Sequence, residues 1–264
     1  MSEIAICIAT LLGDPFHPHA DEVRMVGQAA RSAGFTEASV WAPHLLGLTG
    51  VGLRIGVVEA ALAWANGEAN RASAEAERLA SLAAEYDAPL IGAACVDGAI
   101  HDLALARRNL VTVVNAAAQI GARVCLEFLP GTGIPDLASA WSLVEPLGPS
   151  ATILLDSWHW TRQQTPQAFE VLAAIPGERI GCIQVSDAAA VAASDVVAEG
   201  MTARLLPGEG VVDFPSLFSA LEGIGAEPYR AVEVFNPGLV RQYGVAASVV
   251  AMRDAALRTC STWP

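Results

Sequence analysis

Four polar residues, each near the end of a short apolar run, define the chemistry open to this chain: Glu127 in VCLEFLP, Asp156 in TILLDSWH, Gln184 in CIQVSD and Glu233 in AVEVFNP. The intervals from 127 to 156 and from 156 to 184 each fit one strand plus one crossover helix, the repeat that βαβ geometry imposes. The longer interval to 233 leaves room for a functional loop. On consecutive parallel strands of one barrel the four side chains would meet at a single cation. A buried carboxylate is costly unless it is paired or ligated. Three carboxylates and one amide oxygen form a hard donor set that suits Mn²⁺ or Mg²⁺ over thiolate-seeking metals, with Co²⁺ also accepted. Any one of the acids alone could equally cap a helix or pair with an arginine; four at successive strand ends favour a shared cation.

Elements that would position these groups recur along the whole chain. Strand-like runs fall at Ile4–Thr10, Glu37–Ala42, Leu53–Ala60, Pro89–Val96, Val124–Leu129, Thr152–Asp156, Ile180–Ser186 and Ala231–Phe235. They are rich in Val, Ile and Ala with little alternation, as expected of parallel strands buried on both faces. Helical periodicity separates most of them, at Asp21–Ser32, Asn70–Tyr86, Leu103–Ile120, Asp136–Leu147 and Phe214–Glu222, while Pro43–Gly52 is too short and Gly-rich for a full helix. Eight such units predict one (β/α)8 TIM barrel over residues 1–264, a single α/β domain. In that architecture functional groups gather at the C-terminal ends of the strands, where all four polar residues fall.

Composition narrows the class further. With 264 residues, 53% of them hydrophobic and 16% charged, the chain can bury a large core. The formal net charge of -13 and the lack of any Lys/Arg cluster argue against a nucleic acid partner. A small polar substrate is compatible with this charge, above all where a bound cation supplies a positive field. No apolar stretch is long enough to span a membrane, and the opening MSEIAICIATLLGDPFH lacks the basic segment of a secretory signal, which predicts a cytoplasmic protein without a membrane partner. Cys7, Cys95, Cys125, Cys182 and Cys260 are odd in number and show no C-x-x-C spacing, so they read as small core residues.

The stretch Val124–Pro237 resembles the sugar isomerase and epimerase superfamily with a xylose-isomerase-like TIM barrel. Its D-x-x-H element matches Asp156, Ser157, Trp158 and His159, and its R-x-x-P-G-x-G element matches Arg204 through Gly210. The resemblance implies that Glu127, Asp156, Gln184 and Glu233 bind one divalent cation and that Glu127 and Glu233 form the acid/base pair. Gln184 stands where tagatose-type epimerases carry His and where hydroxypyruvate isomerases and 3-dehydroshikimate dehydratases carry Gln. Leu206 departs from hydroxypyruvate isomerase, which has an acidic residue before the Pro-Gly. The implied reaction is proton abstraction beside a polarised carbonyl to give an enediolate, followed by isomerisation or epimerisation of a sugar-like hydroxy-carbonyl compound. The alternative is a dehydratase that expels a β-hydroxyl after the same first step. The family also implies a homo-oligomer.

Further residues carry weaker expectations. His159 is expected to hold a substrate oxygen, or to pack against Trp158 and Trp160; Arg204 is expected to clamp substrate, or to pair with Glu199 or Asp195. Asp187 would orient a ligand or cap the loop that follows it. Glu59, at the end of the third strand, is expected to make a polar contact below the mouth, or to reach the site. Trp41, Trp64, Trp158 and Phe235 could wall the substrate, and His17, His19, His44 and His101 read as surface histidines. An apurinic endonuclease of this fold would need more histidines and a basic groove, and a non-catalytic sugar-binding barrel would not need the acid pair.

Overall fold

Parallel strands with apolar residues on both faces need helices outside and close packing inside, and in the computed structural model they find both by closing on themselves. The structure describes residues 4–163, 165–261 and 263. Eight strands run in order around a closed barrel: β1 Ala5–Cys7, β2 Glu37–Trp41, β3 Arg54–Ala61, β4 Leu90–Ala94, β5 Arg123–Glu127, β6 Ala151–Asp156, β7 Ile180–Val185 and β8 Tyr229–Val232. Every neighbouring pair is parallel, β8 returning to β1 through Ala5↔Ala231 and Ile6↔Val232. All eight expected strands are present, within a few residues of their expected ends.

The helices follow the periodicity. Ala20–Ser32, Ala69–Glu85, Leu103–Gln119 and Phe214–Gly223 occupy their expected places. Leu137–Val144 stops short of Leu147 because Pro146 tightens the end into a 3-10 turn. Pro43–Gly52 holds only the short helix Leu45–Leu48 after a 3-10 turn. The long terminal helix Pro237–Cys260 breaks at Gly244, whose φ of 77° lies in the left-handed region. Among the described residues no helix is long and apolar enough to cross a membrane. All five cysteines are unpaired, and four of them are buried.

The barrel floor and mouth differ in chemistry. Val57, Leu90, Cys125, Leu154 and Cys182, each from a different strand, pack together with Tyr229. Gly56 makes room for that tyrosine, since a Cβ there would fall 2.1 Å from its ring. One layer higher the interior turns polar. Register places Asp156 directly across from Gln184, and a backbone bond from Glu233 N to Val185 O (3.1 Å) extends the β7–β8 ladder one step past β8. Gln184 and Glu233 therefore sit side by side at the mouth.

Candidate active site

The D-x-x-H spacing has a local cause. Asp156 ends β6 and serves as N-cap of the helix Ser157–Arg162, its Oδ1 accepting the backbone N–H of His159 at 2.9 Å. The same cap that starts the helix puts the His159 ring beside β5, where Nε2 lies 3.2 Å from Glu127 Oε1. One ligand atom from each of Glu127, Asp156 and His159 falls within 4.8 Å of the other two. Two of the four expected cation ligands thus converge, joined by His159, whose expected roles are a substrate contact or packing against Trp158 and Trp160.

Gln184 and Glu233 belong to an adjoining network. Gln184 Nε2 donates to Glu233 Oε1 at 3.0 Å and to Glu59 Oε1 at 3.2 Å, while its Oε1 is buried without a partner among the described residues. Of the two expectations for Glu59, a contact below the mouth or a reach into the site, the second holds: it lies among these side chains. It leaves β3 near the strand end, reaches toward β7 and also accepts a short hydrogen bond from Ser39 Oγ. Its signal in the sequence is a lone acid inside the apolar run RIGVVEAAL. A Cβ at Gly92 would fall 2.8 Å from Glu59 Cγ, so that glycine on β4 makes the room the glutamate occupies.

Arg204 joins the two groups. Its Nη1 donates to Asp156 Oδ2 at 2.8 Å and to Glu233 Oε2 at 3.0 Å, and its Nε to Gly200 O at 2.7 Å. The guanidinium lies 5.5 Å from the Trp158 ring centroid and 5.3 Å from that of Phe235, a cation–π contact on each. Glu199 is taken by Arg162 instead. Asp156 therefore caps a helix, pairs with an arginine and still belongs to the convergent cluster. Asp187 holds the following loop: its carboxylate accepts from Ala188 N, Gly208 N and Val212 N, and its backbone bridges Leu205, next to Arg204. That loop, tied to β8 through Arg204 N to Phe235 O at 3.1 Å, delivers the arginine to the site.

Crowded carboxylates in a dry site hold protons. Burial, with the nearby Asp156 and against the pull of Arg204, pushes the Glu127 carboxyl up to about 8. Burial likewise raises Glu233 to about 8, although Arg204 opposes it, and raises Glu59 to about 7 with Glu127 adding to the effect. Burial pulls His159 down to about 4, leaving a neutral imidazole whose Nδ1 is buried without a partner among the described residues. Clustered carboxyls that a cation would ionise, a neutral imidazole and a free amide oxygen make up a donor set that fits a divalent cation.

The remaining expectations divide. Trp41 and Phe235 face each other across 5.9 Å at the mouth, joined by Phe16, whereas Trp64 is buried and donates from Nε1 to Ala94 O. Trp158 is buried beneath Arg204 and stands edge-on to His159. His17 is at the surface, but His44 is buried, stacked on Trp41 with its Nε2 2.8 Å from Pro15 O. No sequence periodicity marks His44 as buried; the 3-10 turn at Ala42–His44 folds it inward.

No curated protein matches the chain in sequence. Among solved structures it is similar to the IolI protein determined with a binding zinc atom, covering 100% of this chain and 99% of that one at a TM-score of 0.81 and 14% identity. It is similar to D-allulose 3-epimerase from Methylomonas sp. in complex with D-allulose, over 97% and 96% of the two chains at 0.72 and 16%. It is also similar to an AP endonuclease, family 2, from Brucella melitensis, over 92% and 99% at 0.67 and 18%. At such identities the likeness is one of fold. Residues 5–255 match the xylose isomerase-like TIM barrel family, and the chain belongs to it.

Proposed function

We propose that the chain is a cytoplasmic, divalent-metal-dependent isomerase or epimerase of a small sugar-like hydroxy-carbonyl substrate. The observation that carries this reading is the convergence of Glu127, Asp156 and His159 beside the Gln184–Glu233 pair, all at the C-terminal mouth of the barrel. Glu127, Asp156, Gln184 and Glu233 would hold the cation, with His159 at hand as a nitrogen donor or a substrate partner. That nitrogen favours Mn²⁺ over Mg²⁺. A bound cation would polarise a carbonyl and acidify the neighbouring C–H.

The chain's own groups supply the rest. Glu127 from β5 and Glu233 beyond β8 act as base and acid, one moving the proton off the substrate carbon and the other returning it. Arg204 keeps Asp156 and Glu233 in place and, with His159, faces the oxygens of the substrate. Trp41, Phe16 and Phe235 support a drier flank for its carbon face. The formal net charge of -13 and the absence of a Lys/Arg cluster in the sequence support a small-molecule substrate over nucleic acid.

Gln184 favours a second reading, a dehydratase of the 3-dehydroshikimate type, which starts with the same proton transfer. Incubation of the Mn²⁺-loaded protein with a panel of ketoses and cyclic hydroxy-keto acids decides between them. An isomer or epimer without a new conjugated chromophore supports the first reading; rising ultraviolet absorbance from an extended enone acid supports the second. Failure to bind Mn²⁺ or to turn over any member overturns both.

A further inference from the structure

Glu59 and Gln184 touch across the barrel, from β3 and β7, strands four apart in a ring of eight. Gln184 is fully buried, and an amide in that position must choose which end faces which neighbour. Its nitrogen end carries two N–H donors, and both are used: one on Glu233 Oε1 at 3.0 Å and one on Glu59 Oε1 at 3.2 Å. With the two carboxyls ionised, the state a bound cation favours, turning the amide over would set its oxygen against two carboxylate oxygens and strand both donors. The present orientation leaves Oε1 without a partner among the described residues, a buried acceptor that is costly unless something occupies it.

Glu59 is itself fixed. Ser39 Oγ donates to the same Oε1 that receives Gln184, and Gly92 clears the space for its methylene chain. A relay runs from Ser39 on β2 through Glu59 on β3 to Gln184 on β7. We propose that Glu59 is a positioning residue: by accepting from the Gln184 amide nitrogen it fixes that side chain with its oxygen free, as the donor offered to the cation. The inference rests on the cation-binding reading above. It gives a role to an acid that lies outside the convergent Glu127–Asp156–His159 cluster.

Orientation and charge make different demands on residue 59. Glu59→Gln keeps a carbonyl oxygen able to accept from both Ser39 and Gln184 but removes the charge; Glu59→Ala removes both. Mn²⁺ affinity, read by the loss of the free-ion electron paramagnetic resonance signal on titration, separates them without any turnover assay. The expected result is near wild-type affinity for Glu59→Gln and a loss of about 10–100-fold for Glu59→Ala, the range found when a group orienting a metal ligand is removed. Ser39→Ala should lose affinity in the same direction and by less, and it keeps the test open should Glu59→Ala fold poorly by circular dichroism. Equal losses in the Gln and Ala variants would show that charge rather than orientation is at work and overturn the proposal. So would wild-type affinity in Glu59→Ala. If the unaltered protein binds no Mn²⁺, the cation-binding reading fails and this inference falls with it.

Discussion

The Arg204 guanidinium and the Asp156 carboxylate form an ion pair of 2.8 Å in which the arginine is 3% exposed and the aspartate not at all. The same nitrogen lies 3.0 Å from Glu233 Oε2. Removing one partner of such a pair leaves uncompensated charge behind, at a cost of about 3–5 kcal/mol. Arg204→Met should therefore lose stability on that scale in urea unfolding with chelator present. Saturating Mn²⁺ should recover part of the deficit, because a cation takes over the neutralising role. An unchanged unfolding midpoint would mean that the two carboxyls are held neutral by protons and need no arginine.

Glu127 and Glu233 are the proposed proton carriers, and their amide variants test this directly. Glu127→Gln and Glu233→Gln should each lower kcat by about 10²–10⁴-fold, the contribution of a positioned acid or base. Circular dichroism should show the barrel intact. Full activity in either variant would remove that residue from the reaction.

The raised carboxyls make the metal-free protein lose stability as pH rises from about 4.5 to about 8. Unfolded, Glu127 ionises near 4.5; folded, it ionises near 8. The unfolded state thus sheds a proton that the folded state keeps, and stability present below 4.5 is lost as pH rises through about 8. Glu233 behaves alike, and Glu59 does so through about 7. His159 works in the opposite sense, since a folded value of about 4 against 6.5 removes stability as pH falls through that window. Calorimetry in EDTA should find the highest Tm near pH 4.5, since above it three glutamates lose stability while His159 alone gains it, and a decline from there to about pH 8. Mn²⁺ should flatten that decline, because a cation favours the ionised carboxyls. A metal-free Tm that rises with pH would contradict the arrangement.

Strand order and the positions of Glu127, Asp156, Gln184 and Glu233 are legible in the sequence because each depends on local signals, an apolar run and the polar residue that ends it. What joins those residues is not. Arg204 is 48 positions from Asp156 along the chain, and nothing local distinguishes pairing with Asp156 from pairing with the nearer Glu199. Only the loop tied down by Asp187 decides it. Glu59 is harder still, since its partner lies 125 positions away and its space depends on a missing side chain at Gly92. The D-x-x-H spacing shows how one signal can serve two ends. It reads as ligand chemistry, yet its immediate cause is a helix cap.

Gly92 offers a way to move Glu59 without changing it. A Cβ at this position would stand 2.8 Å from Glu59 Cγ, closer than real contacts allow, so the glutamate chain must shift. Its bond to Gln184 is already 3.2 Å, at the long end for N–H···O, and a shift of a few tenths of an ångström breaks it. Gly92→Ala should keep the barrel, at an overpacking cost of about 1–3 kcal/mol. Its Mn²⁺ affinity should fall in step with that of Glu59→Ala. Gly98→Ala is the control, since a Cβ there meets no atom within 4 Å, and it should bind Mn²⁺ as the unaltered chain does. Undiminished affinity in Gly92→Ala would show that the Gln184 oxygen keeps its place without Glu59.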